Sequence, residues 1–266
     1  PDGKIKSTTM YRDGVPEGVK RDYSPDGVIT RSAEYHNGNL IGEGIMLEEG
    51  CKDGPWKEFY SEGSLRAEGR YDHGKRIGEW KFYHPDGKME QNGRYTETGL
   101  ADGTWKWYFP NGQLMREEAY YKGVKDGLSE EYDENGNLIE RGEFLDGKED
   151  GPWIMTTGDF FFKGTYRDGL RTGWWQEFYL TPVEGRVDTT LSYTGNFIDD
   201  LPDGKHTWYW DNGKIREEGT YVMGSREGNW NLFNYDGTLF LVITYAGGVE
   251  IRYDGVKIKP PFEKNE

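Results

Sequence analysis

The residues able to do chemistry in this chain are few and poorly spaced for catalysis. The histidines are His36, His73, His84 and His206; three lie in or beside turns, and none stands in a His-x-x-x-His or Cys-His spacing. Imidazole metal sites and nucleophilic triads both need that convergence, so neither is expected. The single cysteine, Cys51, sits in the turn Glu49-Gly50-Cys51-Lys52-Asp53-Gly54, with no second thiol for an internal disulfide. Carboxylates are abundant, but the repeated Asp-Gly and Asn-Gly steps are turn chemistry, because Asp and Asn tolerate left-handed backbone and Gly prefers it. Glycine-rich loops here open no helix, so a phosphate cradle fails on context. The cluster Asp199-Asp200-Leu201-Pro202-Asp203-Gly204 offers the hard oxygens that Ca²⁺ takes, and its other reading is a solvated acidic turn. No cofactor and no enzymatic activity are expected.

Aromatic side chains are the remaining chemistry. The segments Trp105-Lys106-Trp107-Tyr108-Phe109 and Trp208-Tyr209-Trp210 place rings on both faces of a strand. A single-layer sheet cannot bury both of its faces, so some rings should stay accessible. The candidate binding residues are therefore Trp56, Trp80, Trp105, Trp107, Trp208 and Trp210. They either form a self-covering ladder or present a strip for another protein, since Trp and Tyr are favoured anchors. The same rings could also stack on sugar faces.

The elements that must position these rings follow a metre of glycines. Gly63 to Gly74 is eleven residues, Gly74 to Gly78 four and Gly78 to Gly87 nine, which sums to 24. A fixed period of this size marks a repeat array. Each unit reads as a β-hairpin: Trp80-Lys81-Phe82-Tyr83, the turn His84-Pro85-Asp86-Gly87, then a return strand from Lys88 to Tyr95. No helical period runs over eleven residues, and about 22 strands are expected. Two residues after the first glycine comes Trp56, Trp80, Trp105, Trp153, Trp175 or Trp230. Parity puts Leu65 and Met89 on the face of Gly69, Gly93, Tyr71 and Tyr95, where each glycine leaves a notch for a neighbouring ring. Whether Tyr83 pairs with Lys88 or Met89 stays open. Irregular units fall near 39–53, with an odd strand Leu40 to Leu47, and near 180–203, where the glycine interval stretches to 31.

Composition agrees with an array: 34% of residues are hydrophobic, yet 15% are aromatic and 39 are glycine, so rings must do the packing that aliphatics usually do. The net charge of −15 argues against nucleic acid and anionic membrane surfaces as partners. The string EGRYDHGKRIGEWKFYHPDGKMEQNGRY resembles the MORN repeat in its bacterial variant form, with about nine partial or complete copies. The resemblance implies an all-β fold: an elongated, single-layer antiparallel β-meander of 24-residue hairpins over 1–259, followed by a tail over 260–266. It implies a scaffold or protein-binding surface, and some bacterial members are labelled antitoxin-like. Departures are Ser129 in the Trp column and the two irregular units. The opening Pro1-Asp2-Gly3 copies Pro85-Asp86-Gly87, so the chain is expected to begin inside a repeat. Any export signal would then lie upstream, and a periplasmic or cell-surface location is favoured over the cytoplasm.

Overall fold

A computed structural model describes residues 3–184 and 186–257; the expected tail over 260–266 and the opening Pro1-Asp2 lie outside them. The chain divides into two units, Pro1–Leu138 and Ile139–Glu266. Among the described residues both are all β. The first unit holds β1 (Ser7–Thr8), β2 (Tyr11–Arg12), β3 (Val15–Pro16), β4 (Gly18–Tyr23), β5 (Ile29–His36), β6 (Asn39–Met46), β7 (Lys52–Phe59), β8 (Leu65–Asp72), β9 (Lys75–Tyr83), β10 (Met89–Tyr95), β11 (Ala101–Tyr108), β12 (Leu114–Tyr121) and β13 (Val124–Tyr132). From β4 to β13 every strand pairs antiparallel with its neighbour in sequence. β1 adds to β4, while β2 and β3 form a small ribbon of their own. The odd strand is β6, an extra rung between two hairpins.

The second unit follows the same plan. It holds β14 (Leu138–Leu145, whose first residue closes the first unit), β15 (Lys148–Thr157), β16 (Phe160–Arg167), β17 (Leu170–Val183), β18 (Arg186–Ile198), β19 (Leu201–Pro202), β20 (Gly204–Tyr209), β21 (Ile215–Val222), β22 (Ser225–Phe233), β23 (Leu239–Ala246), β24 (Val249–Tyr253) and β25 (Val256–Lys257). The stretched interval before Gly204 is one lengthened hairpin, β17 on β18, whose extra rungs run from Leu180↔Thr189 to Val183↔Arg186.

The register shows why parity alone misplaced one column. Tyr83 pairs with Met89, but the next rung is Phe82↔Gln91 and then Trp80↔Gly93, so Glu90 is an extra residue. The same bulge recurs at Phe59↔Leu65 against Glu58↔Ala67, and at Tyr108↔Leu114 against Trp107↔Arg116. One inserted residue moves parity by one. Leu65 and Met89 therefore lie with Phe59 and Tyr83, on the face opposite Gly69 and Gly93. A second irregularity falls where Gly78 adopts φ 63°, a left-handed value that glycine takes without strain, between rungs Glu68↔Lys81 and Arg70↔Ile77.

Both margins of the meander are clasped from one repeat to the next. Along one margin the turn amides of Gly74, Gly123, Gly169, Gly224 and Gly248 donate to the carbonyls of Lys52, Ala101, Glu149, Pro202 and Arg226 at 2.7–3.0 Å. Where an acidic residue precedes a repeat's first glycine it can accept beside this bond: Asp53 from His73 N at 3.3 Å, Asp203 from Met223 N at 3.0 Å. Along the other margin, the Tyr60 hydroxyl donates to the Tyr83 carbonyl at 2.8 Å and Trp210 Nε1 to the Phe233 carbonyl at 3.3 Å.

Candidate functional site

The tryptophan column forms a covered ladder. Trp80 is fully buried, with Trp56 at 1% and Trp105 at 3% exposure. Each of Trp80, Trp105, Trp153, Trp175 and Trp230 lies flat over the glycine of the preceding strand: Gly69, Gly93, Gly142, Gly164 and Gly219. A Cβ at any of these glycines would enter the ring. Beside the ring, Nε1 of Trp80, Trp105 and Trp175 donates to the carbonyl one residue beyond that glycine, to Arg70 at 3.1 Å, Arg94 at 3.2 Å and Thr165 at 3.2 Å, while Trp230 Nε1 is buried without a hydrogen-bond partner. Above three rings of the column a cation four residues earlier closes the stack: Lys52 over Trp56 at 4.6 Å, Arg76 over Trp80 at 4.5 Å, Arg226 over Trp230 at 4.0 Å. Tyr71 and Tyr95 close the edges, T-shaped on Trp80 with centroids at 5.0 and 6.5 Å. Of the two readings left open for Trp56, Trp80 and Trp105, the self-covering ladder fits, and their place among the candidate binding residues is corrected because the rings are buried. Glycine below each ring, with a cation above Trp56 and Trp80, removes them from solvent even in a single layer.

Two substitutions show how strictly the slot is built. His206 occupies the Trp column at 1% exposure, over Gly195. Its Nε2 lies 2.9 Å from the Asn196 carbonyl, the place an indole N–H would take. That carbonyl can only accept, so Nε2 carries a proton, and in the neutral ring Nδ1 then accepts the Tyr193 hydroxyl at 2.6 Å. Burial holds its pKa below the ordinary value of 6.5, against bonds to the Asn196 and Asp203 backbone. In the first unit, Ser129 replaces the tryptophan and Glu118 replaces the glycine, and the two are paired. The Glu118 carboxylate fills the vacated volume at 2% exposure, accepting Lys125 Nζ at 2.7 Å and the Tyr120 hydroxyl at 2.6 Å. Burial raises its pKa, but Lys125, Tyr120 and Arg116 together bring it below 4.5. Glu58 is held likewise by the Tyr71 hydroxyl at 2.9 Å and Arg66 at 2.8 Å.

Accessible rings lie two residues further along each strand. Trp107 is half-buried, 6.2 Å from the Trp105 ring, with the Arg116 guanidinium 4.9 Å over it. Phe82 is half-buried on the same row, stacked 5.8 Å from Trp80, and Gln91 pairs with both Phe82 and Trp107. In the second unit Trp208 is half-buried, 5.0 Å from Tyr193 and 5.8 Å from Trp230. Trp210 belongs to a turn, where its indole clasps the next hairpin. Sequence reasoning missed Trp174, which is 61% exposed on the other face of β17. The signal was there: Trp174-Trp175 is a doublet of which one ring alone fits the buried column.

The acidic cluster does not converge. Asp200 Oδ1 accepts Arg171 Nε at 2.8 Å and its amide at 3.1 Å, while Asp203 accepts Met223 N. Among the described residues, the acid or imidazole ligand atoms within 4.8 Å of one another are those of Asp53, Asp72 and His73, an exposed set already engaged in the turn clasp.

A family model described as the MORN repeat variant matches residues 52–73, 76–97, 101–122, 125–146 and 202–223. Five of this chain's hairpin units are MORN-variant repeats. Three of those repeats carry Trp56, Trp80 and Trp105 and the other two carry Ser129 and His206 in the same column, and repeats of this family are in general binding modules for proteins and membranes rather than catalytic centres. No curated protein matches the MORN array significantly. Solved structures with some likeness include a Photorhabdus luminescens Tc holotoxin pore with the mutation TccC3-D651A, 11% identical over 89% of this chain, TM-score 0.24. Another is a TcdB2-TccC3-Cdc42 crystal structure, 16% identical over 91% of this chain, TM-score 0.16. This chain spans 14% of the length of each, and at these scores neither bears on function.

Proposed function

We propose that this MORN array is a non-enzymatic scaffold that binds another protein through the accessible row of its aromatic face. The observation that carries the reading is Trp107. Its ring stays half-buried, in one row with Phe82 across Gln91 and with Arg116 above it, at a position where other repeats hold Glu58 and Glu131. The ladder does not require a large ring there, and Trp with Arg is a favoured anchoring pair. The charge of −15 suits a neutral or cationic partner surface. Photo-crosslinking from position 107, compared with position 57 on the opposite face, should capture one stoichiometric protein from the 107 probe alone. Trp107→Ala should weaken that partner at least about tenfold, or roughly 1.4 kcal/mol. Equal capture from both positions, or unchanged affinity, would reject the assignment.

A further inference from the structure

At the turn end of β20–β23, the rings of Trp210, Tyr235 and Phe240 line an open corner of about 470 Å³, within the range of small-ligand pockets. Arg216, Glu217 and Asn234 line it as well. The array does not ask for two of these rings. The position of Tyr235 holds Pro25, Ser61, Pro85, Pro110, Glu134 or Asp211 in other hairpins, and that of Phe240 holds Arg66, Glu90, Met115 or Arg216. Both are left in solvent, Tyr235 55% and Phe240 66% exposed. Trp210 is the fixed wall: its Nε1 is tied to the Phe233 carbonyl, and its ring meets that of Tyr235 at 5.8 Å and 61°.

The polar groups narrow the ligand. The Arg216 guanidinium lies 5.7 Å from the Trp210 ring and makes no ion pair among the described residues. Glu217 is paired with Arg226 at 3.1 Å, and Asn234 donates to Thr238 Oγ1 at 3.0 Å, which leaves its amide oxygen open. A cation, an anion and an amide in one corner suit a neutral ligand that both donates and accepts. An anion meets the net charge of −15, and a cation finds Arg216 already over the indole. A peptide adding as a strand would need free backbone, but the turns bond internally through Gly213 N to the Trp210 carbonyl and Gly237 N to the Asn234 carbonyl. Rings set at an angle, with hydroxyl-matching groups between them, match a sugar: its C–H face stacks on the aromatics and its hydroxyls bond in both directions.

We infer that this corner is an oligosaccharide-binding site, separate from the protein-binding row. The test titrates the intact chain with cellohexaose, xylohexaose, mannohexaose and chitohexaose by calorimetry. At least one should bind with a Kd on the order of 1 mM or tighter. Tyr235→Ala and Phe240→Ala should each raise that Kd at least fivefold with unchanged melting, while Trp107→Ala leaves it alone. Binding of none of the four overturns the proposal, and so does binding that survives both variants. Loss of the protein partner from these variants, without any sugar binding, would assign the corner to that partner instead.

Discussion

Trp80 is enclosed on every side: Gly69 beneath, the Arg70 carbonyl at its N–H, Tyr71 and Tyr95 at its edges and Arg76 above. Trp107 has the Trp105 ring on one side and Arg116 over it, and is half-buried. Truncating Trp80 to alanine should cost roughly 3–5 kcal/mol, as buried aromatic truncations do, whereas Trp107→Ala should cost within about 1 kcal/mol. Urea melts of the two variants compare them directly, and similar costs would show that Trp107 is part of the ladder. The tryptophan and glycine columns were legible from spacing because both recur every 24 residues. The cation column was hidden in the same data. Arg76 reaches Trp80 only because the backbone folds back at Gly78, and an i, i+4 pair has no reason to meet on a regular strand.

At the scale of a strand pair, Glu118 and Ser129 behave as one substitution made in two places. Where the indole is lost, the glycine notch is lost too, and Lys125, which stands in the cation column, turns to the carboxylate. Glu118→Ala should destabilise β12–β13 by roughly 2 kcal/mol, below the usual figure for a broken buried pair because Lys125 and Arg116 stay about a third exposed. The double variant Glu118→Gly with Ser129→Trp restores the ladder chemistry and should return to within about 1 kcal/mol of the parent. Thermal denaturation of the single and double variants measures the coupling; additive losses would refute it. The sequence displayed Ser129 as a departure from its column, but its compensation could not be read there. Pairing Ser129 with Glu118 requires the register, and the bulges that set the register leave no spacing signal of their own.

Across the molecule, acid should act on the two units at different pH. His206, in the second unit, has its folded pKa lowered below 6.5 by burial. An unfolded chain then takes up the proton first, so its contribution is full above pH 6.5 and is lost as pH falls through the lowered folded value. Glu58 and Glu118, in the first unit, are lowered below 4.5: burial opposes the shift, and tyrosine hydroxyls with neighbouring cations outweigh it. Their contribution is full above pH 4.5 and is lost below. Hydrogen exchange across a pH series should therefore show β18–β21 losing protection at milder acidity than β7–β9. His206→Asn should flatten the first step, and simultaneous loss in both regions would contradict the assignment.

The seating of each indole on the previous hairpin's glycine also bears on how a gene for such a chain can change length. Removing residues 69–92, which is 24 residues, joins Glu68 to Gly93 and hands Trp105 the notch it already uses. Tyr60 then faces the Tyr108 carbonyl in place of Tyr83, and Lys52 faces the turn that follows Tyr95. Recombination between misaligned copies can thus add or delete whole blocks in the regular region without orphaning a ring. A deletion of half a block leaves an indole with no notch. The shortened chain should express as a folded protein and the half-block deletion should not, and soluble yield with far-UV circular dichroism distinguishes the two. Such an array can be lengthened or trimmed by inheritance in steps of one repeat, its reach changing while its chemistry stays the same.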